Sequence, residues 1–234
     1  MSATHTYINN WIEKHFSSRK ITIIDYGCGN GDLINYLDEK IIKKYTGYDV
    51  SADCIKVAKE KFSKNKFLFK KITPDKPPQL GKENSIDLLI LIGVVQYLSK
   101  GETEFLFKQA NRILEKSGRM VISCSVNHRI YRFFNLYRFF TPNHYIDREK
   151  FIQKASQFGL KLEFSQEKGL FIAPLFSNVF SLFFDAFDRV ILKTRGKIGP
   201  TGTMARKIIE PLIKLEMKLP IDYGYTLYLI FSKV

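Results

Sequence analysis

The feature that most constrains the fold of this chain is a regular alternation of apolar strands and helices over residues 20–125. The predicted strands are Lys20–Asp25, Tyr45–Asp49, Lys66–Lys70, Ile86–Ile92 and Arg119–Ser123. Helices are predicted between them at 51–62 and 102–114, and another after residue 31 that carries Leu33, Ile34 and Leu37. This alternation is typical of an α/β fold with a mainly parallel sheet and helices on both faces.

A glycine-rich turn follows the first strand, and its glycines alternate with other residues as Gly27, Gly29 and Gly31. Glycine lets a ligand approach bare main chain, and the start of the next helix offers amide groups to an anion. The second strand ends in Asp49, a position from which an acid can bond ribose hydroxyls. A dinucleotide fingerprint would need a third glycine at position 32, where this chain has Asp32.

The glycine turn, led by Asp25, resembles motif I of the class I S-adenosylmethionine-dependent methyltransferases, and Asp49 resembles their motif II acid. The resemblance covers residues 20–125. It implies a Rossmann-like, mostly parallel sheet of seven strands whose last strand is antiparallel, a role that Tyr225–Phe231 would suit. An aromatic and basic helical lid is then expected as an insertion before that last strand.

The resemblance also implies a cofactor, S-adenosyl-L-methionine, and residues that bind it. Gly27 and Gly29 would approach its methionine part, Asp25 would help to hold the ammonium group directly or through the loop, and Asp49 would bind the ribose. Many family members carry an acid after the third strand for the adenine, but here Ile72 stands near that place and is expected to pack on the base. The full expected set is Asp25, Gly27, Cys28, Gly29, Gly31, Asp49, Val50, Ile72, Ile92 and Tyr97. Gln96 and Tyr97 would line the mouth of the site or simply begin a helix packed on the sheet.

The acceptor is less constrained by the sequence. Methyltransferases of amino groups in DNA bases carry Asn/Asp-Pro-Pro-Tyr/Phe after the fourth strand, and Ile92–Val95 lacks it, which disfavours nucleic acid. Residues 142–174 loosely resemble the post-core part of small-molecule O-methyltransferases, including those of ubiquinone biosynthesis. That resemblance implies a general base at His144, which could instead cap or pack at the surface. His128 is a weaker candidate, and the N-terminal His5 and His15 are expected to face solvent or cover the cofactor.

The chain is strongly basic, with 37 Lys and Arg against 23 acids and a net charge of +14. Such a surface attracts phosphates on nucleic acid or on anionic lipids. Residues 126–145 are aromatic and basic, 169–184 carry no charge but are too few to span a bilayer, and 189–209 contain six Lys or Arg and no acid. An apolar stretch beside a cationic one suits a helix in a membrane interface, although a lid over the core explains it equally.

We therefore predict one methyltransferase domain over 1–234, with a cofactor core at 20–125, an acceptor-binding or lid region at 126–218 and a closing strand at 219–234. The three scattered cysteines, Cys28, Cys54 and Cys124, indicate reduced thiols and a cytoplasmic protein. The first residues do not resemble a signal peptide, and neither a metal site nor an oligomeric state is indicated.

The predicted function is methyl transfer, to oxygen, on a small apolar or lipid-linked acceptor, at the inner membrane face where an anionic surface attracts the chain. Alternatives are an RNA methyltransferase, suggested only by the charge, a methyltransferase of sugars or natural products, and a non-catalytic module that binds the cofactor.

Overall fold

The computed structural model describes residues 3–73, 78–126, 128, 146–175 and 200–234. At its centre is a seven-stranded sheet in the order β3-β2-β1-β4-β5-β7-β6. The strands are β1 (Ile21–Tyr26), β2 (Ile42–Asp49), β3 (Phe67–Lys71), β4 (Ile86–Ile92), β5 (Leu114–Ser125), β6 (Leu160–Lys168) and β7 (Thr226–Lys233). The α-helices are α1 (Ala3–Phe16), α2 (Ala52–Lys61), α3 (Lys100–Ile113), α4 (Arg148–Ser156), α5 (Ile172–Leu175) and α6 (Pro200–Met217).

One strand of the sheet runs against the others. Strands β3, β2, β1, β4 and β5 pair in parallel, while β7 pairs antiparallel with both β5 and β6. Strand β6 therefore runs in the same direction as β1 to β5, and its carboxyl end reaches the same edge of the sheet. The predicted α/β fold with seven strands and an antiparallel last strand is confirmed.

Two apolar cores lie on the two faces of the sheet. One core contains α3 and α4 side chains such as Phe107 and Phe151, and the other contains α1 residues such as Ile8 and Ile12. Strand β7 contributes to both, because successive side chains of a strand point to opposite faces. Its residues Leu227, Leu229 and Phe231 join the first core, and Tyr228 and Ile230 join the second.

The prediction of a regular helix after the glycine turn was wrong, because the chain forms two short 3₁₀ segments there. The chain forms a short 3₁₀ helix at Asp32–Tyr36, becomes extended at Leu37, and forms a second 3₁₀ turn at Glu39–Ile41. Leu33, Ile34 and Leu37 are all buried as expected, but their spacing fits a tighter helix as well. Asp38 caps the second turn by accepting from the Lys40 amide, which interrupts the helix before it can lengthen.

The second half of the chain has longer elements than the sequence indicated. Strand β6 extends to Lys168 rather than ending at Phe164, and α6 occupies the end of the basic segment. Most of the predicted aromatic insertion and much of the uncharged run fall outside the described residues. None of the helices in the described ranges is long and apolar enough to cross a membrane.

Candidate active site

The glycine turn folds over the carboxyl end of β2. The amides of Gly27 and Cys28 both donate to the Tyr48 carbonyl, at 2.7 and 3.0 Å. Gly47 makes this approach possible, because a Cβ there would lie 2.6 Å from the Cys28 sulfur. The turn is therefore built against the strand that carries Asp49.

Two glycines of the turn have different surroundings. Gly27 has a φ of +81°, and a Cβ on it would lie 2.1 Å from Cγ2 of Val94, so packing requires glycine there. Gly29 has a φ of +51°, and a Cβ on it would meet nothing within 4 Å. The main chain at Gly29 thus borders open space, as close approach of a ligand requires.

The Asp49 carboxylate is fixed beside that space by two backbone amides. One oxygen accepts from the Gly29 amide at 2.8 Å and the other accepts from the Ser51 amide at 2.8 Å. A carboxylate offers about four acceptor positions, so acceptor capacity remains on both oxygens. A carboxylate with such capacity can accept hydrogen bonds from two adjacent hydroxyls, such as those of a ribose.

Asp25 lies beneath the turn rather than in open space. It is buried, and the Tyr45 hydroxyl donates to its carboxylate. Burial raises the pKa of Asp25 to about 7, and the nearby Asp49 charge adds to the rise, while the Tyr45 hydrogen bond opposes it. This placement suits a role through the loop better than direct contact with a ligand.

The remaining predicted cofactor residues come to the same edge of the sheet from other strands. Ile72 is buried, and its amide donates to the Asp49 carbonyl at 2.9 Å, which holds the end of β3 against that of β2. Val50 and Tyr97 are both more than half exposed, and Ile92 is partly exposed at the end of β4. Cys28 is buried against Gly47, and Gly31 has a φ of +73° beside Phe62 and Phe69.

Sequence reasoning missed the residues that support the turn. Tyr45, Gly47 and Val94 hold it in place, and only Gly47, close to Asp49 in the sequence, gave a signal.

Gln96 is buried with a side-chain oxygen that accepts no hydrogen bond in the described structure. Its position after β4 makes it a candidate contact for a bound ligand.

The predicted histidines fall in different places. His144 lies outside the described residues. His5 stacks on Tyr36, with ring centres 5.0 Å apart, and burial lowers its pKa. His15 is exposed and bonds the Trp11 carbonyl at 2.8 Å, so it closes the end of α1. Among the described residues there is no group of three or more His, Cys, Asp or Glu side chains that could bind a metal.

This strand order, with a reversed β7 and a glycine turn after β1, defines a Rossmann-like methyltransferase fold. A family model described as "Methyltransferase domain" matches residues 17–167, and the chain belongs to that family. Its methyl donor is S-adenosyl-L-methionine, and the open main chain at Gly29 and the free acceptor capacity of Asp49 fit that cofactor.

Solved structures share the fold at low identity. A TehB-like SAM-dependent methyltransferase from Corynebacterium glutamicum has 17% identity and a TM-score of 0.60, covering 100% of this chain and 89% of that one. An S-adenosylmethionine-dependent methyltransferase from Mesorhizobium loti has 16% identity and a TM-score of 0.60, covering 92% of each chain. A geranyl diphosphate C-methyltransferase from Streptomyces coelicolor has 11% identity and a TM-score of 0.60, covering 98% of this chain and 78% of that one. No curated protein matches the sequence.

Proposed function

We propose that the chain transfers the methyl group of S-adenosylmethionine to an oxygen of a small apolar or lipid-linked acceptor. The observation that carries this proposal is the pairing of Gly29 with Asp49. Bare main chain with open space in front of it stands beside a carboxylate that its own backbone bonds hold in place.

Six of the predicted cofactor residues have a role in this proposal. The main chain at Gly29 receives the amino-acid part of the cofactor, and Asp49 accepts hydrogen bonds from the ribose hydroxyls. Ile72 packs against the base, and Val50 and Tyr97 stand at the mouth. Asp25 supports the loop from below, together with Tyr45. The bound cofactor supplies an activated methyl group, and the protein aligns the acceptor with it and excludes water.

An apolar acceptor suits the exposed Tyr97 at the mouth, because its ring offers an apolar surface to a ligand. The Streptomyces coelicolor neighbour was solved in complex with geranyl diphosphate, which joins an apolar hydrocarbon chain to an anionic diphosphate, so the fold can house an acceptor with an apolar chain. The looser resemblance of residues 142–174 to small-molecule O-methyltransferases favours oxygen as the methylated atom.

Contact with an anionic membrane is supported by α6. Four apolar side chains that share one face of this helix, Met204, Ile208, Leu212 and Leu215, are 50–66% exposed. Ala205 and Met217, which lie outside this stripe, are buried. The helix therefore packs on the protein through these residues while its apolar stripe faces outward. Lys207 on the same helix and Lys218 directly after its last residue are also exposed. A helix of this kind can lie in a membrane interface, with its lysines toward anionic head groups.

Glu216 ties a further exposed apolar segment to α6. It is buried and accepts from the amides of Phe171 and Ile172 at 2.6 and 2.9 Å, and from the Ala173 amide at 3.1 Å. Phe171 itself is largely exposed. The hydrogen bonds to Glu216 hold Phe171 close to α6, where its exposed ring would enlarge the apolar surface that contacts lipid.

The proposal is tested in two stages. Calorimetric titration with S-adenosylhomocysteine should show one binding site, whereas NAD should not bind. The protein should then transfer tritium from labelled S-adenosylmethionine into the organic phase of a cellular lipid extract. Label that hydroiodic acid releases as methyl iodide identifies a methyl ether and hence oxygen as the acceptor atom.

A Gly29→Val variant is the control, because its side chain fills the open space in front of the loop. Absence of binding by the wild-type protein would reject the cofactor assignment. Binding without label in the organic phase would reject an apolar acceptor and favour a polar acceptor or a non-catalytic module.

A further inference from the structure

A histidine and a buried carboxylate meet beyond the glycine turn, at the same edge of the sheet. His128 follows the end of β5, and Glu167 is next to the last residue of β6. Nε2 of His128 lies 2.7 Å from Oε2 of Glu167. The two residues are far apart in sequence and meet because the reversed β7 lets β6 run parallel to β5.

Glu167 is firmly held. Its side chain is only 6% exposed, and the Gly224 amide donates to Oε2 at 3.3 Å. The Arg148 guanidinium lies 3.8 Å from Oε1 and offsets the buried negative charge. Asp222 accepts from the Glu167 amide at 2.7 Å and pairs with Arg148 at 3.3 Å, which fixes the surrounding backbone. A buried carboxylate needs such partners to remain charged.

Contacts with Glu167 and Tyr223 help to orient the His128 ring. Its Nε2 faces Glu167, and one ring face lies against Tyr223, with ring centres 4.3 Å apart and a tilt of 31°. Since a carboxylate only accepts hydrogen bonds, Nε2 carries the proton in the neutral ring and Nδ1 is the basic nitrogen. The side chain is 29% exposed, so the ring is not sealed inside the core.

The pair lies beyond β4, at the same edge of the sheet as the glycine turn. The Ser123 carbonyl of β5 accepts from the Gly93 amide at 2.8 Å, so the end of β5 adjoins the segment after β4. Val94 in that segment packs against Gly27 of the glycine turn. Residues that follow β5 therefore lie next to the cofactor site, on the half of the edge that the turn and Asp49 do not use.

We propose that His128 is the general base for a hydroxyl-bearing acceptor and that Glu167 is its positioning residue; this inference rests on the proposed function. Nδ1 removes the hydroxyl proton while the acceptor oxygen forms its bond to the methyl carbon. The bond between that carbon and sulfur breaks, and its electron pair stays on sulfur. The proton remains on His128, whose positive charge Glu167 stabilises.

The first test needs no turnover. In protein labelled with ¹⁵N-histidine, NMR at an alkaline pH should show His128 with Nε2 protonated and Nδ1 unprotonated. The His128→Gln variant assigns the signal. Glu167→Ala should weaken the preference for protonation on Nε2, and Glu167→Gln, which can still accept a hydrogen bond, should retain it. A wild-type His128 protonated on Nδ1 would overturn the proposal.

The second test separates chemistry from binding, with tritium transfer into the lipid extract as the assay. His128→Gln should lower turnover by about 10²- to 10⁴-fold while affinity for S-adenosylhomocysteine changes less than about twofold. Glu167→Ala should lower turnover more than Glu167→Gln, with a similar Michaelis constant. His15→Gln, at an exposed histidine, is the matched control and should leave turnover unchanged.

The proposal would be overturned if His128→Gln kept the turnover of the wild type. It would also be overturned if His144→Gln lost all turnover while His128→Gln lost none. These outcomes occur with the cofactor bound. Failure of the wild-type protein to bind S-adenosylhomocysteine would instead reject the proposed function. The proposed role of His128 as general base would then be rejected as well.

Discussion

Gly27 and Gly29 stand in one turn, and a methyl group added at each would meet different surroundings. At Gly27 it would collide with Val94, so Gly27→Ala should lower the free energy of unfolding by about 2–4 kcal/mol, as overpacking and left-handed strain combine. At Gly29 there is no collision, so Gly29→Ala should cost only about 1 kcal/mol of left-handed strain. Urea unfolding measures both.

Cofactor affinity should rank these variants differently. Gly29→Ala places its methyl group in the space that the cofactor needs, so calorimetry should show a loss of affinity well beyond its small loss of stability. Gly101, exposed and with open space around it, provides the control substitution Gly101→Ala. Equal stability losses at positions 27 and 29 would contradict the packing described for the turn.

Asp49 allows a sharper test of the cofactor site. Asp49→Ala removes the acceptor for the ribose and frees the Gly29 and Ser51 amides, so affinity for S-adenosylhomocysteine should fall by about 10- to 100-fold. Asp53, an exposed acid nearby on α2, is the matched control, and Asp53→Ala should bind normally. Unchanged affinity in Asp49→Ala would remove the ribose from this position.

Asp25 should make stability depend on pH. The folded protein keeps its proton up to a pKa of about 7, while the unfolded chain releases it near 3.8. Between these values the folded state binds more protons, so the contribution of Asp25 to stability falls as pH rises. Between about pH 5 and pH 8, the free energy of unfolding of Asp25→Asn should therefore rise by about 2–3 kcal/mol relative to that of the wild type.

Thermal or urea unfolding of the two proteins at both pH values measures this gain, and Asp53→Asn serves as the exposed control. A constant difference between Asp25→Asn and wild type across the range would show that the buried carboxyl titrates normally.

At the residue scale, the sequence predicted positions in the fold where spacing is local, and the binding roles of those residues stay a prediction. Gly27, Gly29 and Asp49 could be located because a turn must follow a strand and an acid must end its neighbour. Tyr45 and Val94 could not, because their role depends on which distant side chain they meet in the folded sheet. The same holds for Glu167, whose partner His128 comes from another strand end.

Among the elements, α6 gives the test of membrane contact. Replacing Ile208 and Leu212 by serine should lower binding to vesicles of phosphatidylglycerol and phosphatidylcholine by at least about tenfold. The reason is that burying each apolar side chain in the membrane interface contributes about 1.5–3 kcal/mol to the free energy of binding. Sedimentation at low salt measures binding, which should also weaken as salt screens the lysines.

The matched control replaces Val57 and Leu68, two apolar side chains exposed elsewhere on the surface. Their double serine variant should bind vesicles as the wild type does. If the α6 variant binds equally well, its apolar stripe does not enter the membrane interface.

Element types were predictable where the apolar pattern was long enough. Strands β1 and β4 could be placed because buried parallel strands have continuous apolar runs. The segment after the glycine turn could not, because a few buried residues at mixed spacing fit an α-helix and a 3₁₀ helix equally. The extra residues of β6 are polar, as an edge strand allows, and gave no strand signal.

For the whole molecule, the central place of β7 predicts cooperative unfolding. Ile230 and Phe231 lie in the two different cores, so Ile230→Ala and Phe231→Ala should each cost about 2–5 kcal/mol. Because one strand contributes to both cores, each variant should still unfold in one urea transition with an unchanged slope. Two separate transitions, followed by fluorescence and circular dichroism, would show that the two faces unfold independently.

The position of β7 also bears on how the protein matures during translation. Of the seven strands in the sheet, β7 leaves the ribosome last, yet it must insert between β5 and β6, which are made earlier. A nascent chain that lacks it exposes two unpaired strand edges and cannot bring Glu167 beside His128. Completion of the sheet therefore requires a strand insertion, and chaperones that shield edges should act at that stage.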